Sequence, residues 1–365
     1  MITSPIPALV AALAALAGVS CASLRVETVA GAEPLRFDAN GRFALLHITD
    51  IQVHNTNYQA SLDILDGIVK ACPVKPSLVV LTGDQVDGTH SVDAFTNNIA
   101  PLINFFVTND LRFAVAFGNH DSEHGDKNRG LDPAQMREAE WAFYKSHGGA
   151  CFVDFDVREL TGTGSGVVPV MDAKTGRRAA FNIFLMDSGS YGKKADGGRG
   201  GYDGCYADQI QWYADVSGDT PCLWFQHIIV PEGAKAVFFS GDRAVGGKYE
   251  NPCPTQYALY VDAAHTLPPR SPDGKRRTLY DVWVEKGNLK GAYFGHDHRN
   301  TYDGTDENGI RLGYTKSITV QSYGDGDPGA RYFLLNEKDG SYQTEIYTSK
   351  HSEGLGFWGP TNTIQ

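Results

Sequence analysis

The side chains best suited to chemistry fall in five short clusters, each following an apolar run: Asp50 with Gln52, Asp84, Asn119-His120-Asp121, His227, and His296 with His298. Carboxylates and amides offer hard oxygens, and imidazole offers a nitrogen that can bind a metal or carry a proton. In Gly118-Asn119-His120-Asp121, three side chains could ligate a metal or move a proton, with Asp121 able to orient the His120 ring. Oxygen and imidazole donors together suit Mn, Fe or Zn and argue against calcium or a thiolate site. Seven candidate ligands are too many for one tetrahedral ion and enough for two ions sharing a carboxylate.

Such scattered clusters can meet only if the fold gathers strand ends. Apolar runs at 43–49, 77–82, 111–117, 181–186, 222–226 and 290–294 read as buried strands. Helical spacing of apolar residues predicts helices over 58–72, 92–107, 133–146 and 207–216, with Pro73 and Pro76 stopping the first. Alternating strands and helices, with long apolar strands, predict parallel pairing in a layered α/β core. In open α/β sheets, ligands bind beyond the carboxyl ends of the strands, where all five clusters would lie. Runs at 318–320, 331–335 and 342–347 read as antiparallel strands. The Gly-rich stretch 189–204 is expected to be a mobile loop, with Arg199 and Tyr202 as candidate substrate contacts. Segments 231–256 and 266–278 read as irregular substrate loops, and basic residues 269–277 as a solvated surface. His47, inside a strand, reads as structural.

A chain of 365 residues can bury a sizeable core, and no repeat or linker divides it. A net charge of −11 disfavours nucleic acid as the main partner, although bound cations could still create a local site for an anionic substrate. The Ala/Leu run at 8–19, followed by Ser20-Cys21-Ala22, has the length of a signal-peptide core and is too short to span a bilayer. The expected organisation is a leader at 1–22 and one domain at 23–365, secreted or within the endomembrane system and without a transmembrane anchor. None of the six cysteines has C-x-x-C spacing, which argues against a structural zinc. Cys72 and Cys222 read as buried thiols, and Cys205 with Cys253 as the expected disulfide.

Taken in order, Asp50-Ile51-Gln52, Gly83-Asp84, Gly118-Asn119-His120-Asp121, His227 and Gly295-His296-Asp297-His298 resemble the motifs of the calcineurin-like metallophosphoesterase family. The flanks at 225–232 and 295–300, with Gly329-Ala330-Arg331, are similar to its small single-domain branch related to purple acid phosphatases. The resemblance implies two packed mixed β-sheets flanked by helices, a four-layer α/β fold with a binuclear metal site at the strand C-terminal ends. It implies one ion held by Asp50, Gln52, Asp84 and His298, and a second by Asp84, Asn119, His227 and His296, with Asp84 bridging. His120 would be the proton donor or phosphate-orienting group, with Asp121 behind it.

The implied activity is hydrolysis of phosphate esters by a hydroxide shared between two Mn, Fe or Zn ions, with a small phosphomonoester as substrate. The alternatives are phosphodiester or pyrophosphate cleavage on nucleotide-type substrates, or a metal-poor member that binds a phosphorylated ligand without turnover. Two positions depart from the pattern. Gln52 stands where the first motif usually has His, which makes His54 a rival ligand. Asp87 stands where true purple acid phosphatases carry Tyr, so no tyrosinate-to-iron colour is expected.

Overall fold

The computed structural model describes residues 33–53, 58–88, 91–147, 160–193, 199–232, 263–270, 272–324 and 326–352. The leader, His54, Cys253 and most of 231–256 lie outside them. The predicted apolar runs form β1 (Arg42–Ile48), β2 (Leu78–Thr82) and β3 (Arg112–Ala116), which pair in parallel. Later strands are β4 (Gly166–Met171), β5 (Ala179–Met186), β6 (Tyr191–Lys193), β7 (Arg199–Tyr202), β8 (Cys222–Gln226) and β9 (Leu289–Phe294). The last are β10 (Asp303–Thr305), β11 (Arg311–Tyr314), β12 (Gly329–Asn336) and β13 (Tyr342–Thr348). One sheet has the order β13-β12-β1-β2-β3 and the other β10-β11-β9-β8-β5-β4. Both are mixed: β12 joins β1 antiparallel, while β5, β8 and β9 run parallel.

Side chains alternate across each strand, and both faces are covered, which is why the strands read as unbroken apolar runs. Leu45, Val80 and Ala114 face Ile183, Phe225 and Tyr293 in a core between the two sheets. The opposite face of the first sheet, including Leu46, Val79 and Phe113, packs against α1 (Tyr58–Ala71), α2 (Val92–Thr108) and α3 (Pro133–Lys145). Phe184, Trp224 and Phe294 of the second sheet pack against α4 (Ala207–Val216) and α5 (Leu279–Lys286). The layers are therefore helix, sheet, sheet, helix, as the resemblance implied. No helix among the described residues is long and apolar enough to cross a membrane.

The structure corrects two readings of local structure. The stretch 189–204 is not simply a loop: β6 and β7 form an antiparallel ribbon with Tyr191 opposite Tyr202. Strands of three and four residues rich in Gly carry too little alternation to be seen in sequence, and the cross-strand tyrosine pair, with ring centroids 5.8 Å apart, supplies what pattern there is. Residues 318–320 form no strand. The N–H groups at and just before their start are committed across the molecule, Thr315 to Phe294, Ser317 to His298 and Ile318 to Thr49. β11 was illegible because Gly313 interrupts it, and a Cβ there would lie 2.4 Å from the Tyr293 ring.

Candidate metal centre

The two sheets contribute different chemistry. The ends of β1, β2 and β3 deliver the oxygen donors Asp50, Gln52, Asp84 and Asn119, whereas β8 and β9 deliver the imidazoles His227, His296 and His298. Asp50, Gln52, Asp84 and His296 have φ of 51°, 44°, 51° and 74°, in the left-handed region that side chains rarely adopt. Each such residue costs on the order of 1–3 kcal/mol, and clustering of that strain is typical of functional sites. Two glycines permit the crowding: a Cβ on Gly118 would lie 2.2 Å from Asp84 Oδ1, and one on Gly295 1.9 Å from Thr49 Oγ1.

Asp84, His227 and His296 bring ligand atoms within 4.8 Å of one another. His227 Nε2 is 3.2 Å from Asp84 Oδ2, 3.1 Å from Asn119 Oδ1 and 3.3 Å from His296 Nδ1. Its Nδ1 is tied to the Thr82 carbonyl at 2.7 Å, so Nε2 is the nitrogen turned toward the cluster. His298 repeats the device, with Nδ1 on the Tyr323 carbonyl at 2.7 Å and Nε2 3.5 Å from Asp50 Oδ1. Asp50 Oδ2 accepts from Thr49 Oγ1 and from the His296 N–H, while its buried Oδ1 has no hydrogen-bond partner among the described residues. Gln52 is buried at 4 % exposure, and its backbone N–H donates to the Asp84 carbonyl.

Charges in this cluster oppose one another. Burial depresses the His227 imidazolium, but the Asp84 and Asp50 carboxylates overcome that and raise its pKa to about 9. Burial and the His227 charge together push His296 down to about 3. Burial would raise the Asp84 carboxyl, yet the neighbouring His227 and His120 hold it far below the usual range. A cluster of carboxylates and aimed imidazole nitrogens, with one buried carboxylate oxygen unsatisfied, fits a metal centre of mixed oxygen and nitrogen donors.

His120 stands beside this cluster with its side chain 33 % exposed, and its N–H donates to Asp84 Oδ1 at 2.8 Å. Burial lowers its pKa, but the Asp84 and Glu123 carboxylates raise it overall. Asp121 does not back His120 as expected. Its Oδ2 accepts from the N–H groups of Asp84 and Gly118, and its Oδ1 from those of Gln85 and Val86. The carboxylate thus ties the second and third motifs together through their backbones. Burial and the Asp84 charge raise its pKa to about 6, against N–H donors that favour the anion.

The carboxylate on His120 is Glu123, 2.7 Å from Nδ1, a partner whose spacing of three residues within one turn was the sequence signal. Tyr191 and Arg137 were also missed, because their contacts are set by tertiary structure. Tyr202 does stand at the site, its ring centroid 4.1 Å from that of His296. The side chain of Arg199 lies outside the described residues. The basic segment is a loop paired to α5, Arg270 with Glu285 and Lys275 with Asp281 at the surface, and the buried Arg277 with Glu285. Cys205 is a free buried thiol 3.3 Å from Gln226 Oε1, not a disulfide half, because the loop packs it into the second core. His47 bridges Thr82 and Thr315 hydroxyls in the core, a structural role.

A family model described as calcineurin-like phosphoesterase matches residues 43–300. Among curated proteins, the chain is 23% identical over 373 residues to "Probable inactive purple acid phosphatase 14" of Arabidopsis thaliana, covering 92% of this chain and 82% of that protein. It is 22% identical over 349 residues to "Probable inactive purple acid phosphatase 29" of the same plant, covering 84% and 80%. Among solved structures, a dimetal phosphatase from Danio rerio superposes with a TM-score of 0.53 at 14% identity, covering 84% of this chain and 96% of that one.

Proposed function

The chain belongs to the calcineurin-like phosphoesterase family, and on that premise we propose that it is a metal-dependent phosphomonoesterase. The observation that carries this reading is the convergence of Asp84, His227 and His296, with ligand atoms within 4.8 Å, at the ends of strands from two sheets. Asp50, Gln52, Asp84 and His298 would hold one ion and Asp84, Asn119, His227 and His296 the other. Two bound ions, of Mn, Fe or Zn, supply Lewis acidity toward phosphate oxygens and an activated water near neutral pH. The chain's own residues do the rest. Asp84, fixed by the His120 N–H at one oxygen, turns the other toward His227 Nε2, where it would be offered to the ions. Thr82 and Tyr323 carbonyls hold the His227 and His298 rings so that Nε2 faces inward. His120, as an imidazolium with its Nδ1–H on Glu123, would give its Nε2 proton to a departing alkoxide and keep the Nδ1–H as the neutral ring.

A second reading has an observation of its own. Gln52 gives a weaker donor than imidazole, and the plant relatives carry "inactive" in their names, which favours a phospho-ligand binder holding few ions. Metal content and turnover of the purified protein separate the two. Two equivalents of metal, with hydrolysis of phosphomonoesters faster than of diesters, pyrophosphates and nucleotides, is the outcome expected of the enzyme. Near-zero metal after loading, with phosphate binding and no turnover, selects the binder. Export of the chain is part of this proposal, and N-terminal sequencing should find the mature start near 21–23.

A further inference from the structure

Glu123 accepts two hydrogen bonds. Its Oε2 lies 2.7 Å from His120 Nδ1, and its Oε1 receives the Tyr191 hydroxyl at 3.0 Å. Tyr191 in turn accepts from Asn119 Nδ2 at 3.1 Å, across 72 residues of sequence, while Asn119 Oδ1 faces His227 Nε2 at 3.1 Å. We propose that Glu123 is a positioning residue that, directly and through Tyr191, fixes the ring orientation of His120 and the amide orientation of Asn119.

The direction of the chain of bonds follows from donor counting. A carboxylate only accepts, so both of its partners must donate. His120 therefore presents Nδ1–H to Glu123, which leaves Nε2 as the ring nitrogen turned toward a substrate. The tyrosine has one proton, and with that proton on Glu123 its oxygen can only accept. Only the NH₂ side of the Asn119 amide can fill that acceptor, so the carbonyl side is turned toward His227 and the cluster. One surface-accessible carboxylate thus sets the facing atoms of two site residues. Neither nearby rival does this: both Asp121 oxygens are engaged by backbone N–H groups, and Asp87 is exposed and acts on His120 only through space.

The inference rests on the reading of His120 as the acid for the leaving group, and the test separates the two. Wild type, Glu123→Gln, Tyr191→Phe and His120→Asn are loaded with Mn and assayed on an alkyl phosphate and on 4-nitrophenyl phosphate. The aryl leaving group needs little protonation and the alkyl one needs much. The ratio of alkyl to aryl turnover is expected to fall at least about tenfold in E123Q, a share of the ~10²–10⁴ that general acids contribute. Histidine-selective nitrogen NMR on the metal-free protein, with H120N assigning the signal, should show loss of the Nδ1–H tautomer in E123Q. Y191F should keep the leaving-group ratio but release Mn several-fold more readily, because its loss frees the Asn119 amide to turn.

An unchanged ratio in E123Q, alongside a reduced one in H120N, overturns the inference and leaves the acid reading standing. If H120N itself leaves the ratio unchanged, the acid reading fails and the tautomer decides: an Nδ1–H signal that survives E123Q overturns the positioning role. Should E123Q not fold, Y191F stands in for it, and Mn retention equal to wild type overturns the link to Asn119.

Discussion

Arg137 Nη1 lies 3.0 Å from each carboxylate oxygen of Asp187, and Nη2 of the same buried guanidinium donates to the Gly118 carbonyl at 2.8 Å. Helix α3 thereby holds the turn that carries Asn119 and His120. Asp187 also accepts the N–H groups of Thr163 and Gly189, so its removal would strand a buried charge and two donors. Asp187→Ala is expected to cost about 3–5 kcal/mol in urea unfolding and to weaken metal retention together with it. A loss under about 1 kcal/mol would mean that the pair does not anchor the turn.

Asp84 faces both halves of the candidate centre, with Oδ1 on the His120 N–H and Oδ2 against His227. Asp84→Asn keeps the shape and removes the charge that two ions would share. Metal content by elemental analysis should fall for both ions, and turnover should fall by at least about a hundredfold with it. A variant retaining two equivalents and near-normal turnover would sink the assignment.

Gln52 is the weak donor of the set, and its φ of 44° is a conformation that His adopts more readily than most residues. Gln52→His is therefore expected to fit without disturbing the backbone and to strengthen one half of the site. Half-maximal activation should occur at several-fold lower metal than in wild type. Identical titration curves would mean that Gln52 is not a ligand.

Glu140 is fully buried, and among the described residues neither carboxyl oxygen has a hydrogen-bond partner. Burial first, and the Asp121 charge second, raise its pKa well above the ordinary value of 4.5, against the opposing pull of Arg137. Between that ordinary value and the raised one, the folded state keeps a proton that the unfolded chain has released. Stability therefore falls as pH rises through this window, by at most about 1.4 kcal/mol per pH unit from this group. Glu140→Gln should match wild type at low pH, exceed it at neutral pH, and flatten this slope in melts across the window. Parallel pH profiles for the two proteins would show that Glu140 is not held neutral.

Most of the fold and the candidate centre could be read from sequence because each cluster of site residues closely follows a largely buried strand. Leu78–Thr82 and Cys222–Gln226 are buried at every position, so the runs stop where the polar groups begin. The supporting residues could not be read. Tyr191 lies on a three-residue strand, and Arg137 lies on a helix that carries none of the candidate ligands. Their partners are 72 and 50 positions away and are fixed only when the layers pack. Sequence adjacency points Asp121 at His120, but its carboxylate accepts the backbone N–H groups of Asp84, Gln85 and Val86, which only the fold brings to it.

Oxygen donors sit on one sheet and imidazoles on the other. If the centre is loaded as proposed, this division would set an order of assembly. Neither sheet alone carries the mixed donor set, so a partly folded chain with one layer formed has no high-affinity trap for the wrong ion. Tight binding to the proposed centre would then arise only once the two layers have closed. Withdrawing metal from the finished protein should loosen the seam between layers before it loosens either one. Hydrogen exchange after chelation would then rise first at 49–53 and 295–298, where the Asp50 carboxylate receives the His296 N–H and the sheets meet.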